Sequence, residues 1–239
     1  MTGGDAVAGG QAGQHDEQHE HGAQVLRDEA FWDERYRSSS ALWSGSPNPQ
    51  LARESAGLIP GEALDAGSGE GADAIWLAQR GWRVTAVDIS AVALARAESR
   101  AAEAGEGVAQ LITWRHEDLS AWAPPAGRFD LVSAQFLQLP PGPRELIFGR
   151  LAAAVAPGGS LLIVAHHPSD LQTTARRPAM PELFYAPADV AAALDPQDWE
   201  IAVSEARERE VTDPDGEAIA VRDTVLRARR RGRARVTPG

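Results

Sequence analysis

Short apolar runs alternate with amphipathic stretches along the middle of this 239-residue chain. Strands are predicted at the apolar runs, which cover residues 63–66, 83–89, 110–115, 129–134 and 160–165. Helices are predicted between them, at residues 74–78, at 91–104 behind the capping residue Ser90, and at 144–155. Continuous apolar strands that alternate with helices are typical of a parallel sheet covered on both faces.

The pattern changes after the fifth strand. Strand patterns at residues 199–206 and 218–228 flank an Asp-Pro-Asp-Gly sequence at 213–216, and Asp-Gly between two strands indicates a hairpin. The chain therefore predicts a three-layer α/β/α sandwich, with a mostly parallel seven-stranded sheet ending in an antiparallel hairpin. Residues 168–187 contain four prolines and little periodicity, and a loop of this length is usually functional, such as a lid or a substrate loop.

The two ends of the chain differ in composition from its middle. Residues 1–24 are rich in Gly, Gln, His and acidic residues, so we expect a disordered tail there. Its histidines suit a metal-binding tract, but a solvated tail without metal is favoured. Residues 229–239 are expected to form an Arg-rich tail. The intervening residues, 25–228, are predicted to fold as a single domain.

Composition excludes several classes of protein. The formal net charge is −11, which disfavours nucleic acid as a partner because such binding needs a basic face. There is no cysteine and all 23 basic residues are arginine, which excludes thiolate chemistry, a P-loop lysine and a Schiff base. No apolar run approaches the roughly 20 residues that span a bilayer. We expect a cytoplasmic monomer or homodimer that acts on a small molecule and binds no membrane.

Three glycines at alternate positions follow the first predicted strand, at Gly67, Gly69 and Gly71. Glycine lets a chain turn sharply from a strand into a helix and lets backbone N–H groups approach a ligand closely. Gly67-x-Gly69-x-x-Ala72 also satisfies the dinucleotide fingerprint, so an NAD(P)-dependent oxidoreductase remains an alternative. The alternate spacing, with Asp65 two residues before the first glycine, favours S-adenosylmethionine instead.

Five sequence blocks together resemble the core of the class I S-adenosylmethionine-dependent methyltransferases, the Rossmann-like group, and within it the small bacterial tellurite-resistance or generic small-molecule type. The blocks are LDAGSGEG (64–71), VDIS (87–90), EDL (117–119), FDLV (129–132) and VAPGGSLL (155–162). FWDERY (31–36) and LWSG (42–45) resemble the N-terminal cap segment of these enzymes, here residues 25–60. The resemblance implies methyl transfer to an O, N or S nucleophile of a small molecule by in-line displacement.

The resemblance also implies where the cofactor binds. Asp65 is expected to anchor the methionyl ammonium of S-adenosylmethionine, Asp88 the ribose hydroxyls, and Asp118 the adenine amino group. The full set of expected cofactor-binding residues is Tyr36, Trp43, Asp65, Gly67, Ser68, Gly69, Asp88, Ile89, Glu117, Asp118, Leu119 and Gln135. Asp130 is expected to be structural.

The fifth predicted strand is followed by His166 and His167, at the sheet edge where ligands bind in open α/β folds. An oxygen nucleophile must lose its proton, and an imidazole near its ordinary pKa of about 6.5 suits that task. We expect one of these histidines to contact the substrate or to act as the base. Phe184 and Tyr185 are expected to add an aromatic wall to the acceptor site. A non-catalytic regulator that binds S-adenosylmethionine remains a further alternative.

Overall fold

The computed structural model describes residues 27–39, 45–178 and 180–232. The predictions for residues 1–24 and for Trp43 fall outside these ranges, as does most of the predicted tail at 229–239. Within the described ranges, no helix combines the length and the apolar content needed to cross a membrane.

One seven-stranded sheet is formed within the described residues, in the order β3-β2-β1-β4-β5-β7-β6. The strands are β1 (Glu62–Ala66), β2 (Arg83–Asp88), β3 (Ile112–His116), β4 (Phe129–Gln135), β5 (Val155–His166), β6 (Trp199–Thr212) and β7 (Ala218–Arg230). Strands β1 to β5 pair in parallel, whereas β7 pairs antiparallel with both β5 and β6. The predicted fold class, a mostly parallel sheet ending in an antiparallel hairpin, is confirmed.

Helices cover both faces of the sheet. They are α1 (Glu29–Arg37), α2 (Pro49–Ser55), α3 (Ala72–Ala78), α4 (Ala91–Glu103), α5 (Glu106–Ala109), α6 (Pro143–Ala154) and α7 (Pro187–Ala191). Successive residues of a strand point to opposite faces, so Ala63 packs with α2 and α3, whereas Leu64 packs with α6 and α7. The two apolar clusters that result are the two halves of the core.

Two boundaries differ most from the predictions, because β6 continues six residues past its predicted end, to Thr212, and β5 begins five residues early. The helix ends at Ala154 and β5 begins directly at Val155, so the Pro-Gly-Gly sequence lies inside the strand. There the pairing with β4 shifts register, and a Cβ on Gly159 would lie 2.9 Å from the carbonyl oxygen of Asp130. Apolar periodicity does not detect such an irregularity, because the two glycines contribute no apolar side chain to the pattern. Strand β7 also continues two residues past its predicted end, to Arg230.

Residues 168–187 contain two short 3-10 helices, Pro168–Gln172 and Pro181–Leu183, rather than an unstructured loop. Phe184 and Tyr185 follow them and are 6% and 2% exposed. The ring of Tyr185 packs edge-on against Phe148 at 5.9 Å, and Thr224 donates a hydrogen bond to the Tyr185 carbonyl. Neither residue is among those that line the cavity at the carboxyl ends of the parallel strands, so the predicted aromatic wall of the acceptor site is wrong for both.

Candidate functional site

A cavity of about 1650 Å³ lies at the carboxyl ends of the parallel strands. Its walls come from the turns that follow β1 to β4, from α1, and from the end of β5. The predicted cofactor-binding residues that line it are Tyr36, Asp65, Gly67, Ser68, Gly69, Asp88, Ile89, Glu117, Asp118, Leu119 and Gln135. Of the two predicted catalytic histidines, His166 lines the cavity and His167 is not among the lining residues.

The turn between β1 and α3 is shaped by its glycines. Gly67, Gly69 and Gly71 have φ angles of 74°, 52° and 81°, which other residues adopt only with strain. The N–H groups of Gly67 and Ser68 both donate to the carbonyl oxygen of Val87, at 2.8 and 2.9 Å. At Gly71 a Cβ would lie 2.6 Å from the ring of Trp114, so the turn packs too closely against β3 for any side chain.

Asp88 ends β2 and contacts this turn directly. Its Oδ2 accepts a hydrogen bond from Gly69 N at 2.7 Å, and its Oδ1 accepts one from Ser90 N at 2.9 Å. Burial raises the pKa of the Asp88 carboxyl, while these backbone N–H groups act in the opposite direction. The carboxylate is therefore fixed in orientation at the cavity wall.

Two further carboxyl groups lie beside the glycine turn, Asp65 buried and Asp73 half-buried. Asp65 is 2% exposed, and its Oδ2 has no hydrogen-bond partner among the described residues. Burial raises the pKa of Asp65 well above its ordinary value, and the charges of Asp73 and Asp88 raise it further. Burial also raises the pKa of Asp73 to about 6, although Asn48 N donates to its Oδ1 at 2.6 Å. Asp65 thus lies between two acids that disfavour its charge, in a region that a cation would stabilise.

Another wall of the cavity is formed by the residues that follow β2 and β3. The side chain of Asp118 accepts hydrogen bonds from the backbone N and from the hydroxyl of Ser120, both at 2.8 Å. His116 places its Nε2 2.9 Å from the Ile89 carbonyl oxygen. Glu117 pairs with Arg115 at 2.6 Å. This wall combines an apolar residue, Ile89, with oriented carboxyl groups.

Helix α1 closes the cavity from the N-terminal side. Asp33 Oδ1 accepts hydrogen bonds from Ser90 Oγ at 2.6 Å and from Val92 N at 3.3 Å, so α1 docks against the start of α4. This contact brings Trp32 and Tyr36 to the cavity, and Tyr36 is only 3% exposed. The ring of Tyr36 lies 6.4 Å from that of Trp32.

A second region of the cavity lies at the ends of β4 and β5. Phe136 follows β4 and is the one residue other than glycine with positive φ, 52°, among those described. Its ring lies 4.6 Å from that of His166, and Phe184 lies 5.9 Å from His166 on the basis of ring centroids. Arg177 and Arg209 also line the cavity. Backbone strain of this kind concentrates at functional sites.

The two predicted catalytic histidines differ in environment. Burial lowers the pKa of His166 to about 3, and the charges of Arg177 and Arg209 add to the effect. An imidazole this weakly basic is a poor proton acceptor near neutral pH. The expectation that His166 has an ordinary pKa, and so suits the role of a base, is therefore wrong. His167 is the N-cap of a 3-10 helix, and its Nδ1 accepts a hydrogen bond from Ser169 N at 3.2 Å. His167 therefore has a structural role as the capping residue of this helix.

Sequence reasoning missed several residues that the structure brings to the cavity. Among them are Asp73, Arg177 and Arg209. Asp73 carried a usable signal, because it lies in the first turn of the helix that follows the glycines. Asp130 was expected to be structural, and its Oδ2 accepts a hydrogen bond from Glu62 N at the start of β1.

Comparison with known proteins identifies the class of domain. Residues 63–159 match the family described as Methyltransferase domain. The matched segment begins in β1 and ends within β5, so it includes the glycine turn and Asp88.

The chain is also similar to curated methyltransferases. A 2-heptyl-1-hydroxyquinolin-4(1H)-one methyltransferase of Mycobacteroides abscessus is 32% identical over 126 residues, which are 51% of this chain and 54% of that relative. Probable thiol methyltransferase 2 of Arabidopsis thaliana is 30% identical over 136 residues, 55% of this chain and 59% of that relative. The chain thus spans little more than half the length of these relatives.

Among solved structures, one from work on the conversion of a disulfide bond into a thioacetal group during echinomycin biosynthesis is 25% identical, with a TM-score of 0.66. The match covers 87% of this chain and 94% of that one. Together with the family matched over residues 63–159 and the strand order, this likeness supports a class I S-adenosylmethionine-dependent methyltransferase domain in this chain. The resemblance inferred from the five sequence blocks is confirmed.

Proposed function

We propose that this protein is an enzyme that transfers a methyl group from S-adenosylmethionine to a nucleophilic oxygen, nitrogen or sulfur of a small molecule. The observation that carries the proposal is a cluster of three acids, the buried Asp65 and Asp88 and the half-buried Asp73, around the glycine turn of a methyltransferase domain. S-adenosylmethionine carries an ammonium and a sulfonium, so it supplies the positive charge that this cluster lacks.

The residues of the cavity fit this cofactor. The unpartnered Oδ2 of Asp65 suits the methionyl ammonium, because a buried acceptor without a partner is costly and a cation would favour its ionised form. Asp88 uses one hydrogen bond per oxygen and retains acceptor capacity for the ribose hydroxyls. Ile89, Asp118 and Leu119 would contact the adenine. When bound, the cofactor supplies a methyl group on a sulfonium, a good leaving group for in-line displacement.

The type of nucleophile is suggested by the relatives. One is named for a hydroxyquinolinone and another for a thiol, both of which offer an acidic O–H or S–H group. An acceptor of this type fits the second region of the cavity, which is partly aromatic at Phe136 and His166. We therefore favour a small organic acceptor over a macromolecule.

A nicotinamide dinucleotide fits the same turn less well. Its pyrophosphate would lie at the N-terminus of α3, as in dinucleotide-binding folds. In this protein Asp73 lies in the first turn of α3 and Asp65 lies buried beside it. Two acids at that position would repel a pyrophosphate. The oxidoreductase alternative is therefore disfavoured on electrostatic grounds.

Titration calorimetry tests the cofactor assignment. The full chain should bind S-adenosylmethionine and S-adenosylhomocysteine, and NAD should bind far more weakly. Tight NAD binding without S-adenosylhomocysteine binding would reject the methyltransferase proposal. Turnover on a panel of phenols, thiols and amines then separates an enzyme from a regulator that only binds the cofactor.

A further inference from the structure

The region of the cavity at the ends of β4 and β5 has a composition of its own. It is lined by Phe136, His166, Arg177 and Arg209, with the more exposed Arg176 at its margin. The guanidinium carbon of Arg209 lies 5.9 Å from the centroid of the Phe136 ring, which in turn packs 4.6 Å from His166. An aromatic surface and several guanidinium groups are therefore adjacent within one compartment.

The two inner arginines are held in place by buried carboxylates. Arg209 Nε donates to both oxygens of Asp223, each at 2.9 Å, and Asp223 is 1% exposed. Arg177 donates through Nε and Nη2 to one oxygen of Asp170, at 3.0 and 2.9 Å, and Asp170 is also 1% exposed. Such fixed guanidinium groups lose little side-chain freedom on binding a ligand.

Both arginines retain unused donors. A guanidinium has five N–H groups. Within the described residues Arg209 donates only through Nε, so both of its terminal nitrogens remain available for a ligand. With Arg176, three guanidinium groups line this part of the cavity against the two carboxylates of Asp170 and Asp223. The compartment therefore carries an excess of positive charge.

His166 adds a neutral hydrogen-bonding group to this compartment. Its Nδ1 is buried and has no hydrogen-bond partner among the described residues. Because burial and the two arginines keep the ring neutral, it does not add a positive charge of its own. In the tautomer with a proton on Nδ1, it offers one directed donor beside the guanidinium groups.

We propose that the acceptor is a planar organic anion whose ring lies against Phe136 and His166 and whose negative group is bound by Arg177 and Arg209. This inference rests on the proposed function and adds the substrate class to it. The two ends of the cavity are then complementary to opposite charges, with acids around the cofactor end and arginines around the acceptor end.

With the arginines in this position, the reaction needs no general base from the protein. Guanidinium charges that disfavour protonation of His166 equally disfavour protonation of a phenol, thiol or N-hydroxy group beside them. The acceptor releases its proton to solvent on binding, and its oxyanion or thiolate then attacks the methyl carbon. A new bond to carbon forms, the carbon–sulfur bond breaks, and its electron pair stays on the sulfur. An anion and a cation are consumed together, so no proton moves in this step.

The test measures the binding of para-nitrophenol and of its neutral analogue para-nitroaniline to the full-length protein saturated with S-adenosylhomocysteine. Calorimetry gives the two affinities, and the visible absorbance of para-nitrophenol reports whether it is bound ionised. The variants are Arg209→Gln and Arg177→Gln. Arg222→Gln is the matched control, because the Arg222 side chain is half exposed, forms an ion pair only with Glu208 among the described residues, and does not line the cavity.

We expect the wild type to prefer para-nitrophenol by about tenfold or more, which is the worth of a charged hydrogen bond. The absorbance should show it ionised at a pH where it is largely protonated in solution. The preference should fall toward one in the two cavity variants and remain in Arg222→Gln.

Equal affinity for the two probes would overturn the proposal, as would binding of neither probe to a protein that binds S-adenosylhomocysteine. An effect of Arg222→Gln as large as that of Arg209→Gln would also overturn it. Failure of the wild type to bind S-adenosylhomocysteine would instead reject the proposed function, so the two failures are distinguishable.

Discussion

Gly69 donates its backbone N–H to Oδ2 of Asp88 at 2.7 Å, which ties the glycine turn after β1 to the carboxyl end of β2. The other oxygen of Asp88 accepts from Ser90 N, at the start of α4. A single carboxylate thus connects two neighbouring βα turns, and both turns line the cavity. The orientation of the proposed ribose-binding group is set by the same contacts that hold the turn.

Replacing Asp88 should weaken cofactor binding without unfolding the protein. Asp88→Ala is expected to reduce the affinity for S-adenosylhomocysteine by about 1–3 kcal/mol, through lost hydrogen bonds to a charged acceptor. Asp88→Asn should not restore it, because the amide must place its NH₂ against the N–H of Gly69 or of Ser90. Calorimetry on both variants checks this, with circular dichroism to confirm folding. An affinity unchanged in Asp88→Ala would contradict the ribose role.

We expect the carboxyl group of Asp73 to lower the free energy of unfolding and to strengthen cofactor binding. Its folded-state pKa of about 6 lies above its ordinary value of 3.8. Between those pH values the folded state binds more protons than the unfolded state, so the free energy of unfolding falls as pH rises through that window. Asp73→Asn should therefore raise the free energy of unfolding at neutral pH by about 1–3 kcal/mol, and the gain should vanish below pH 3.8.

The same variant should bind S-adenosylmethionine more weakly, because it removes one negative charge from the cluster. Denaturant unfolding across pH and calorimetry at neutral pH measure the two effects. Asp215→Asn is the control, since Asp215 is exposed in the β6–β7 turn. A stability gain accompanied by unchanged cofactor affinity would separate Asp73 from the binding site.

The fold and the end of the cavity that we propose for the cofactor were predictable because their signals are local. Each parallel strand is a short apolar run, and Asp65, the glycines and Asp88 lie within a few residues of a strand end. The end that we propose for the acceptor was not predictable in the same way. Arg209 lies in a charged stretch of β6 in which Arg207 is equivalent by sequence.

What distinguishes Arg207 from Arg209 is their partners elsewhere in the chain. Arg207 pairs with Glu54 of α2, whereas Arg209 pairs with Asp223 of β7 and lines the cavity. Burial lowers the pKa of His166, and the charges of Arg177 and Arg209 lower it further. A histidine at a strand end looked like a base because neither its burial nor these two charges can be inferred from the residues next to it in the sequence.

Gly71→Ala should destabilise the protein by more than its backbone conformation alone requires. The residue has a φ of 81°, and a Cβ would lie 2.6 Å from the Trp114 ring and 2.8 Å from the Ala97 side chain. Overpacking of this kind costs about 1–3 kcal/mol beyond the strain of positive φ. Gly127→Ala is the control, because its φ is 63° and a Cβ there meets no atom within 4 Å. Thermal unfolding of the two variants should differ, and equal losses would show that the contact with Trp114 is accommodated.

His166 should remain neutral across the physiological range, with a measurable effect on acid stability. Its folded-state pKa of about 3 lies below the ordinary value of 6.5. Between these values the unfolded state binds more protons, so the free energy of unfolding falls as pH is lowered through that window. His166→Gln should remove this slope, and nuclear magnetic resonance of the ring should show no titration near pH 6.5.

Arg209→Gln should raise the pKa of His166, because one of the two nearby positive charges is lost. A ring that titrates near 6.5 in the wild type would restore His166 as a candidate base and would remove the electrostatic reason for its neutrality.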